Sequence, residues 1–187
     1  MTNAWDHISR ELAAEQFRYD FESSETRHKR LFEDFETGRV SLARYLDQVI
    51  FYQARDFSKK EFVDFLKTQS LAHQSSLDIV RKLAAEKKYC LSTLNNESIE
   101  LNQFRIDNFG LKQYFTNFFS SCFLGLTKPH LEIYKKVLQI MQTAGDQCLF
   151  IDDRKNNTDA AAECGFQVLH LEKVSDLERE LTAREII

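Results

Sequence analysis

Residues that break regular structure are scarce in this chain, with five glycines and one proline among 187 residues. A fold of many tight turns needs both types in number, so the shortage favours helices over a mesh of short hairpins. Paired cysteines are missing too. Cys90, Cys122, Cys148 and Cys164 lie far apart, with no Cys-x-x-Cys pair. That removes the usual spacing of a zinc site or a disulfide framework. Cys90, Cys122 and Cys148 each stand in an apolar run and read as small buried hydrophobes. No apolar run approaches the roughly 20 residues of a membrane span. Met1 to Ser9 has neither the basic flank nor the apolar stretch of a secretory leader. Together these absences argue for a reducing cytoplasm and against a membrane. Basic charge is not in excess: 25 Lys and Arg face 29 Asp and Glu, a net charge of −4. Nothing here attracts nucleic acid or anionic lipid in general. His7, His28, His73, His130 and His170 show no metal-ligand spacing.

What is present suits a folded domain, or a core carrying a small accessory one. Hydrophobic residues make up 43% and charged residues 29%, enough for a sizeable core. The first 70 residues read as helical. Trp5, Ile8, Leu12 and Phe17 recur at helical spacing, as do Leu31 and Phe35. Ser41 stands as an N-cap before Leu42, Tyr45, Leu46 and Val49. Ser58 and Glu61 form the pattern of a capping box before Phe62, Phe65 and Leu66. Phe17, Phe21, Phe32 and Phe35 read as core, with a substrate-facing role for one or two as the lesser alternative.

From about residue 72 the texture alternates. Leu77, Val80, Leu83 and Ala84 mark a helix. The short apolar run Tyr89-Cys90-Leu91 ends in Ser92-Thr93-Leu94-Asn95. Helical pattern follows from Glu97 to Phe109 and from Leu131 to Met141. Cys148 to Ile151 reads as a buried strand running into Asp152-Asp153. A helix over about Thr158 to Cys164 ends at Gly165, and Phe166 to Leu171 is the next strand. A last helix spans about Val174 to Ala183. Strands alternating with helices imply an α/β fold, a Rossmann-like parallel sheet with flanking helices. Such sheets gather their chemistry at the carboxyl ends of the strands. The expected domains are a helical cap over residues 8–72 and an α/β core over residues 73–187.

Two groups fall at such ends, Ser92 after one strand and Asp152 with Asp153 after another, and a lysine before a helix joins them as a candidate. Asp152 and Asp153 are adjacent carboxylates after four apolar residues, and hard oxygen donors suit Mg²⁺. A turn or helix cap would also use aspartate there. Lys128-Pro129 offers a compact cation for a phosphate or a buried carboxylate, with Pro129 placed to begin the next helix. It could equally be a surface lysine. Ser92 and Thr93 could hydrogen-bond a phosphate oxygen, although a strand-end hydroxyl is more often structural. Asn95 and Asn96 read as loop and cap for the helix that follows.

The order of these pieces says more than any one of them. Lys128-Pro129, with Ile133-Tyr134 behind it, comes about 36 residues after Ser92. Phe150-Ile151-Asp152-Asp153 follows about 24 residues later, then Asn157, Ala160-Ala161 and Gly165. This resembles motifs two, three and four of the haloacid dehalogenase-like superfamily over about residues 77 to 172. The helical first half looks like that superfamily's cap. The branch it resembles most holds small sugar-phosphate phosphatases and the phosphatase domain of epoxide hydrolases.

The resemblance implies a Mg²⁺-dependent phosphatase acting on a small phosphorylated molecule through an aspartyl-phosphate. It assigns phosphoryl binding to Ser92, with Thr93 as the substitute one register on. Charge balance falls to Lys128, and the metal to Asp152 and perhaps Asp153 by the same analogy. It also exposes a departure. The family begins with a central strand ending in the aspartate nucleophile, and no such strand precedes Trp5. Residues 1–7 resemble the stretch just after it. Asp6 is no replacement, and Asp20 and Asp34 fall in helical segments. The chain alone is therefore expected not to turn over. The strands of Leu91 and Ile151 are expected to pair directly, or to be bridged by another segment or chain, and a gap there would encourage copies to associate. A non-catalytic module binding a phosphorylated ligand or a protein is the alternative. An unrelated α/β protein is the third.

Overall fold

The computed structural model describes residues 5–187, so residues 1–4 of the supposed remnant loop lie outside the described residues. The elements run α1 (His7–Phe17), α2 (Phe21–Glu36), α3 (Leu42–Val49), α4 (Lys59–Thr68), α5 (Gln74–Glu86), β1 (Ser92–Asn95), α6 (Ile99–Asn108), β2 (Asn117–Ser120), α7 (Ser121–Leu124), α8 (Leu131–Met141), β3 (Leu149–Asp152), α9 (Lys155–Glu163), β4 (Gln167–His170) and α10 (Leu177–Thr182), with short 3-10 turns between some of them. The fold is mixed α/β. No helix among the described residues is long and apolar enough to cross a membrane.

The chain divides into two compact units. One comprises Met1–Ala72, Asn96–Gln113 and Ser120–Gly125; the other comprises His73–Asn95, Tyr114–Phe119 and Leu126–Ile187. The first is helical, and its local signals are those read in the sequence. Ser41 caps α3 by accepting from the Arg44 N–H, and Leu42, Tyr45, Leu46 and Val49 form the buried stripe behind it. Ser58 and Glu61 form both bonds of a capping box at α4. Asp6 caps α1 by accepting from the Ser9 N–H. The core is aromatic. Phe62 is fully buried, with Trp5, Phe17 and Phe57 around it at ring-centroid distances of 6.2, 5.1 and 5.9 Å. Burying each such side chain contributes about 1.5–3 kcal/mol. Gly38 reverses the chain after α2 at φ +75, where a Cβ would meet the Cys122 carbonyl oxygen at 2.6 Å. Only glycine fits on both counts.

This unit also buries a charge pair. The Arg105 guanidinium holds the Glu97 carboxylate, with side chains 8% and 5% exposed. Arg105 Nε donates to Ser70 Oγ at 3.2 Å. The Ser98 N–H donates to the other Glu97 oxygen at 2.9 Å. Nearby, the Glu97 N–H donates to Ser121 Oγ at 2.9 Å, and that hydroxyl donates to the Glu36 carbonyl at 2.6 Å.

The second unit holds the strands. β3 and β4 are parallel, joined through α9, with Leu149 opposite Gln167 and Asp152 opposite His170. Ala160 and Ala161 are buried on α9, which ends before Gly165 at φ +87, as a helix C-terminus requires. Tyr134, Phe150 and Phe166 meet edge to face with centroids 5.5–6.3 Å apart. A second cluster of Ile79, Leu83, Leu177 and Leu181 takes in Leu91, just before β1, and Leu149 at the start of β3.

Three expectations need correction. β1 and β3 do not pair directly: among the described residues β1 joins β2 in one two-stranded sheet, and β3 joins β4 in another. β1 runs from Ser92 to Asn95, so Ser92 opens the strand rather than ending it. The apolar run Tyr89 to Leu91 suggested an earlier strand. Pairing with β2 decides the matter, since the Thr116 N–H reaches the Leu91 carbonyl at 2.8 Å and the ladder proceeds from there. Cys90 is exposed, Cys122 is buried, and Cys148 and Cys164 are half-buried. An apolar neighbourhood in sequence thus overstated the burial of Cys90.

Candidate functional site

The sharpest polar feature of the α/β unit lies at the carboxyl end of β3. Alternation along the strand buries Phe150 and Asp152 and leaves Ile151 36% exposed. Lys128 Nζ donates to Asp152 Oδ2 at 2.6 Å. The side chains are only 9% and 6% exposed, so the pair is withdrawn from water. The ammonium also lies 5.4 Å from the centre of the Phe150 ring, whose face favours a cation.

The other carboxylate oxygen is held by the start of α9. Asp152 Oδ1 accepts from the Arg154 backbone N–H and from Asn157 Nδ2, each at 2.9 Å. Arg154 is the N-cap of α9 and makes no side-chain cap bond of its own. A helix start offers N–H groups without intrahelical partners, and it favours negative charge. Asp152 meets both conditions. Behind it, the fully buried Tyr134 donates from its hydroxyl to the Asn157 carbonyl at 2.9 Å. Burial, with the Asp152 charge nearby, pushes the Tyr134 phenol well above its ordinary range, so it acts as a donor.

Lys128 reaches this place from the turn before α8, closed by the His130 N–H on the Thr127 carbonyl at 3.0 Å. Pro129 stands in that turn, joined to Lys128 by a cis peptide bond, and α8 begins at Leu131. The expectation that Pro129 opens the helix is corrected by two residues.

The remaining candidates have surroundings of their own. Asp153 is exposed, and its backbone carbonyl meets His170 Nε2 at 3.0 Å. Ser92 is half-buried at the start of β1, and its hydroxyl accepts from Asn117 Nδ2 at 3.1 Å. Thr93 is buried and its hydroxyl has no hydrogen-bond partner. At the carboxyl end of β1 stands Asn95, which sequence reasoning left to a loop. Among the described residues no group of three or more His, Cys, Asp or Glu side chains could close around a metal. Sequence reasoning gave Arg154 and Tyr134 no part in the site. A helix starting just after a strand-end acid could have signalled the Arg154 N–H; nothing local signals the Tyr134 hydroxyl.

A family model for haloacid dehalogenase-like hydrolases matches residues 1–165. The chain belongs to that family. Among curated relatives, flavin mononucleotide hydrolase 1 of Arabidopsis thaliana is 27% identical over 158 residues. That match takes in 84% of this chain but only 63% of the plant protein. D-ribitol-5-phosphate phosphatase of Bacteroides thetaiotaomicron is 25% identical over 162 residues, covering 81% and 76% of the two chains. A solved haloacid dehalogenase family enzyme of Bacteroides thetaiotaomicron, in complex with magnesium and inorganic phosphate, superposes with a TM-score of 0.78 at 22% identity. The superposition covers 95% of this chain and 93% of that one, and at this identity the likeness speaks for the fold.

Proposed function

We propose that the Lys128–Asp152 pair is the phosphoryl-receiving centre of a Mg²⁺-dependent phosphatase for small phosphorylated metabolites. The single observation that carries this reading is a buried ammonium and carboxylate 2.6 Å apart at the mouth of a parallel strand pair. Burying two charges is costly, and such a pair stabilises a fold little more than apolar side chains would. A site that must receive a negatively charged group gives it a use. Lys128 neutralises the incoming phosphate, and Asp152 holds the lysine in the dry interior until then.

The donor set suits magnesium in part. Mg²⁺ is usually held by one or two carboxylates together with water and substrate phosphate. Asp152 Oδ2 accepts from Lys128 and retains a second lone pair, and the exposed Asp153 is adjacent. Bound there, magnesium would draw charge from a phosphate oxygen. Asp152 and Asp153 would hold it, with the rest of its shell from water and ligand. At β1, Asn95 joins Ser92 and Thr93 as a candidate donor to the phosphate, because it occupies the carboxyl end.

Turnover through an aspartyl-phosphate needs a carboxylate free to attack. The early aspartates are engaged elsewhere. Asp6 caps α1, Asp20 caps α2, and Asp34 pairs with Arg39 at 3.2 Å. Asp152 is held on both oxygens. On this reading Lys128 and Asp152 bind the phosphoryl group, and cleavage needs an aspartate other than these four. β1 and β3 belong to separate two-stranded sheets, and a strand between them is where such an aspartate would enter. Two relatives whose names carry flavin mononucleotide and ribitol 5-phosphate support a small phosphate ester as the substrate class.

The test compares this chain with one preceded by an apolar strand ending in aspartate, assayed for phosphate release from a panel of monoesters with and without magnesium. Release by the longer chain alone, abolished by Asp152→Ala, supports the reading. A longer chain that folds, binds phosphate and releases none favours a binding module instead.

A further inference from the structure

We infer that Tyr134 is a positioning residue: its buried hydroxyl fixes the first turn of α9, and through Asn157 it sets the orientation of the Asp152 carboxylate. This deepens the phosphoryl-centre reading and rests on it for its functional meaning. Tyr134 reaches Asp152 through Asn157. It donates at 2.9 Å to the Asn157 carbonyl, and the Asn157 amide donates at 2.9 Å to Asp152 Oδ1. With the Arg154 N–H on the same oxygen, both of its lone-pair sites are filled. A carboxylate held that way cannot turn about its terminal torsion, so Oδ2 stays directed at Lys128.

The fold makes Tyr134 suited to this work. It lies on α8, three residues past Leu131, and Lys128 lies three residues before that same helix start. One rigid helix thus carries the turn that presents the lysine and the hydroxyl that pins the carboxylate's support. The ring is fully buried between Phe150 of β3 and Phe166 before β4. Its hydroxyl is consequently placed by packing on both sides, and the Asn157 carbonyl can accept it beside a helical N–H because it has two lone pairs.

The experiment is side-chain hydrogen exchange by NMR on the whole chain and on Tyr134→Phe, with inorganic phosphate titrated into both. In the unaltered chain the Asn157 side-chain amide should exchange slowly, and the Tyr134 hydroxyl proton should be a resolved, slowly exchanging signal. In Tyr134→Phe, Asn157 exchange should rise at least about tenfold beyond any rise in the β3 and β4 backbone amides, and phosphate affinity should fall several-fold. If Asn157 and the reference amides accelerate by the same factor, Tyr134 is only structural and the inference is overturned. A Tyr134 hydroxyl proton exchanging freely with water in the unaltered chain overturns it equally, even if Tyr134→Phe fails to fold. Should the unaltered chain bind no phosphate, the phosphoryl-centre reading falls, and the exchange ratio still decides whether Tyr134 orients Asn157.

Discussion

Each of the two units holds a deeply buried ion pair, Arg105 with Glu97 and Lys128 with Asp152, and the two are built differently. In the helical unit, Arg105 offers a planar guanidinium that binds Glu97 and Ser70 together, and Ser98 takes the other Glu97 oxygen. The serines and backbone groups around it belong to the unit's own frame. In the α/β unit, Lys128 offers a compact ammonium to a single carboxylate oxygen, while helix α9 holds the other oxygen. Arginine suits fixed, forked bonding, and lysine behaves as a movable point charge. The first pair is closed on itself. The second has the chemistry to exchange a partner, which is what receiving a phosphate demands.

Breaking either pair from one side should produce the largest effects. Arg105→Ala leaves Glu97 buried and should lower stability by about 3–5 kcal/mol in urea unfolding. Asp152→Ala leaves Lys128 in the same position and should cost a similar amount. Replacing both partners with apolar residues separates the pairs. Glu97→Leu with Arg105→Met should recover most of the stability and keep phosphate binding. Asp152→Leu with Lys128→Met should recover stability and lose phosphate binding altogether, measured by titration calorimetry. Equal ligand loss in both double variants would erase the distinction drawn here.

Core packing gives the next contrast. Phe62→Ala, in the fully buried aromatic core, should cost about 3–5 kcal/mol. Ile151→Ala, at a strand position 36% exposed, should cost about 1 kcal/mol or less in the same unfolding assay.

A pH effect should follow in the helical unit. His28 Nδ1 lies 2.8 Å from the Tyr45 hydroxyl, which itself accepts from Trp5 Nε1 at 3.3 Å. That leaves the tyrosine proton to go to a neutral His28. Burial first, then the nearby Arg10 charge, lowers the His28 pKa to about 4. The unfolded chain therefore binds a proton at this site that the folded one refuses. The contribution is complete above the ordinary histidine pKa of about 6.5 and is lost as pH falls towards 4. His28→Gln should flatten the fall in unfolding midpoint over that window. A comparably small effect is expected at the capping box, where Ser58→Ala should cost about 1 kcal/mol.

The sequence showed most where interactions are local. Ser41, Ser58 and Gly165 announced helix ends because capping is settled within a few residues. The span Leu131–Met141 of α8 was legible from periodicity alone. The start of β1 was not, since its register depends on Asn117–Ser120, about two dozen residues away. The Ser121 hydroxyl's bond to the Glu36 carbonyl spans 85 positions and leaves no mark in either segment. At the site, Asp152 could be named as an acid at a strand end and Lys128 as a cation before a helix. The hydroxyl of Tyr134 could not, because its partner is a backbone carbonyl, and every residue has the same one to offer.

The centre described here stands or falls on whether Lys128 changes partner. A crystal structure of this chain grown with magnesium and inorganic phosphate should put a phosphate oxygen within hydrogen-bond distance of Lys128 Nζ, and a metal against Asp152 Oδ2. Phosphate bound elsewhere, with the lysine still closed on the aspartate, would contradict it.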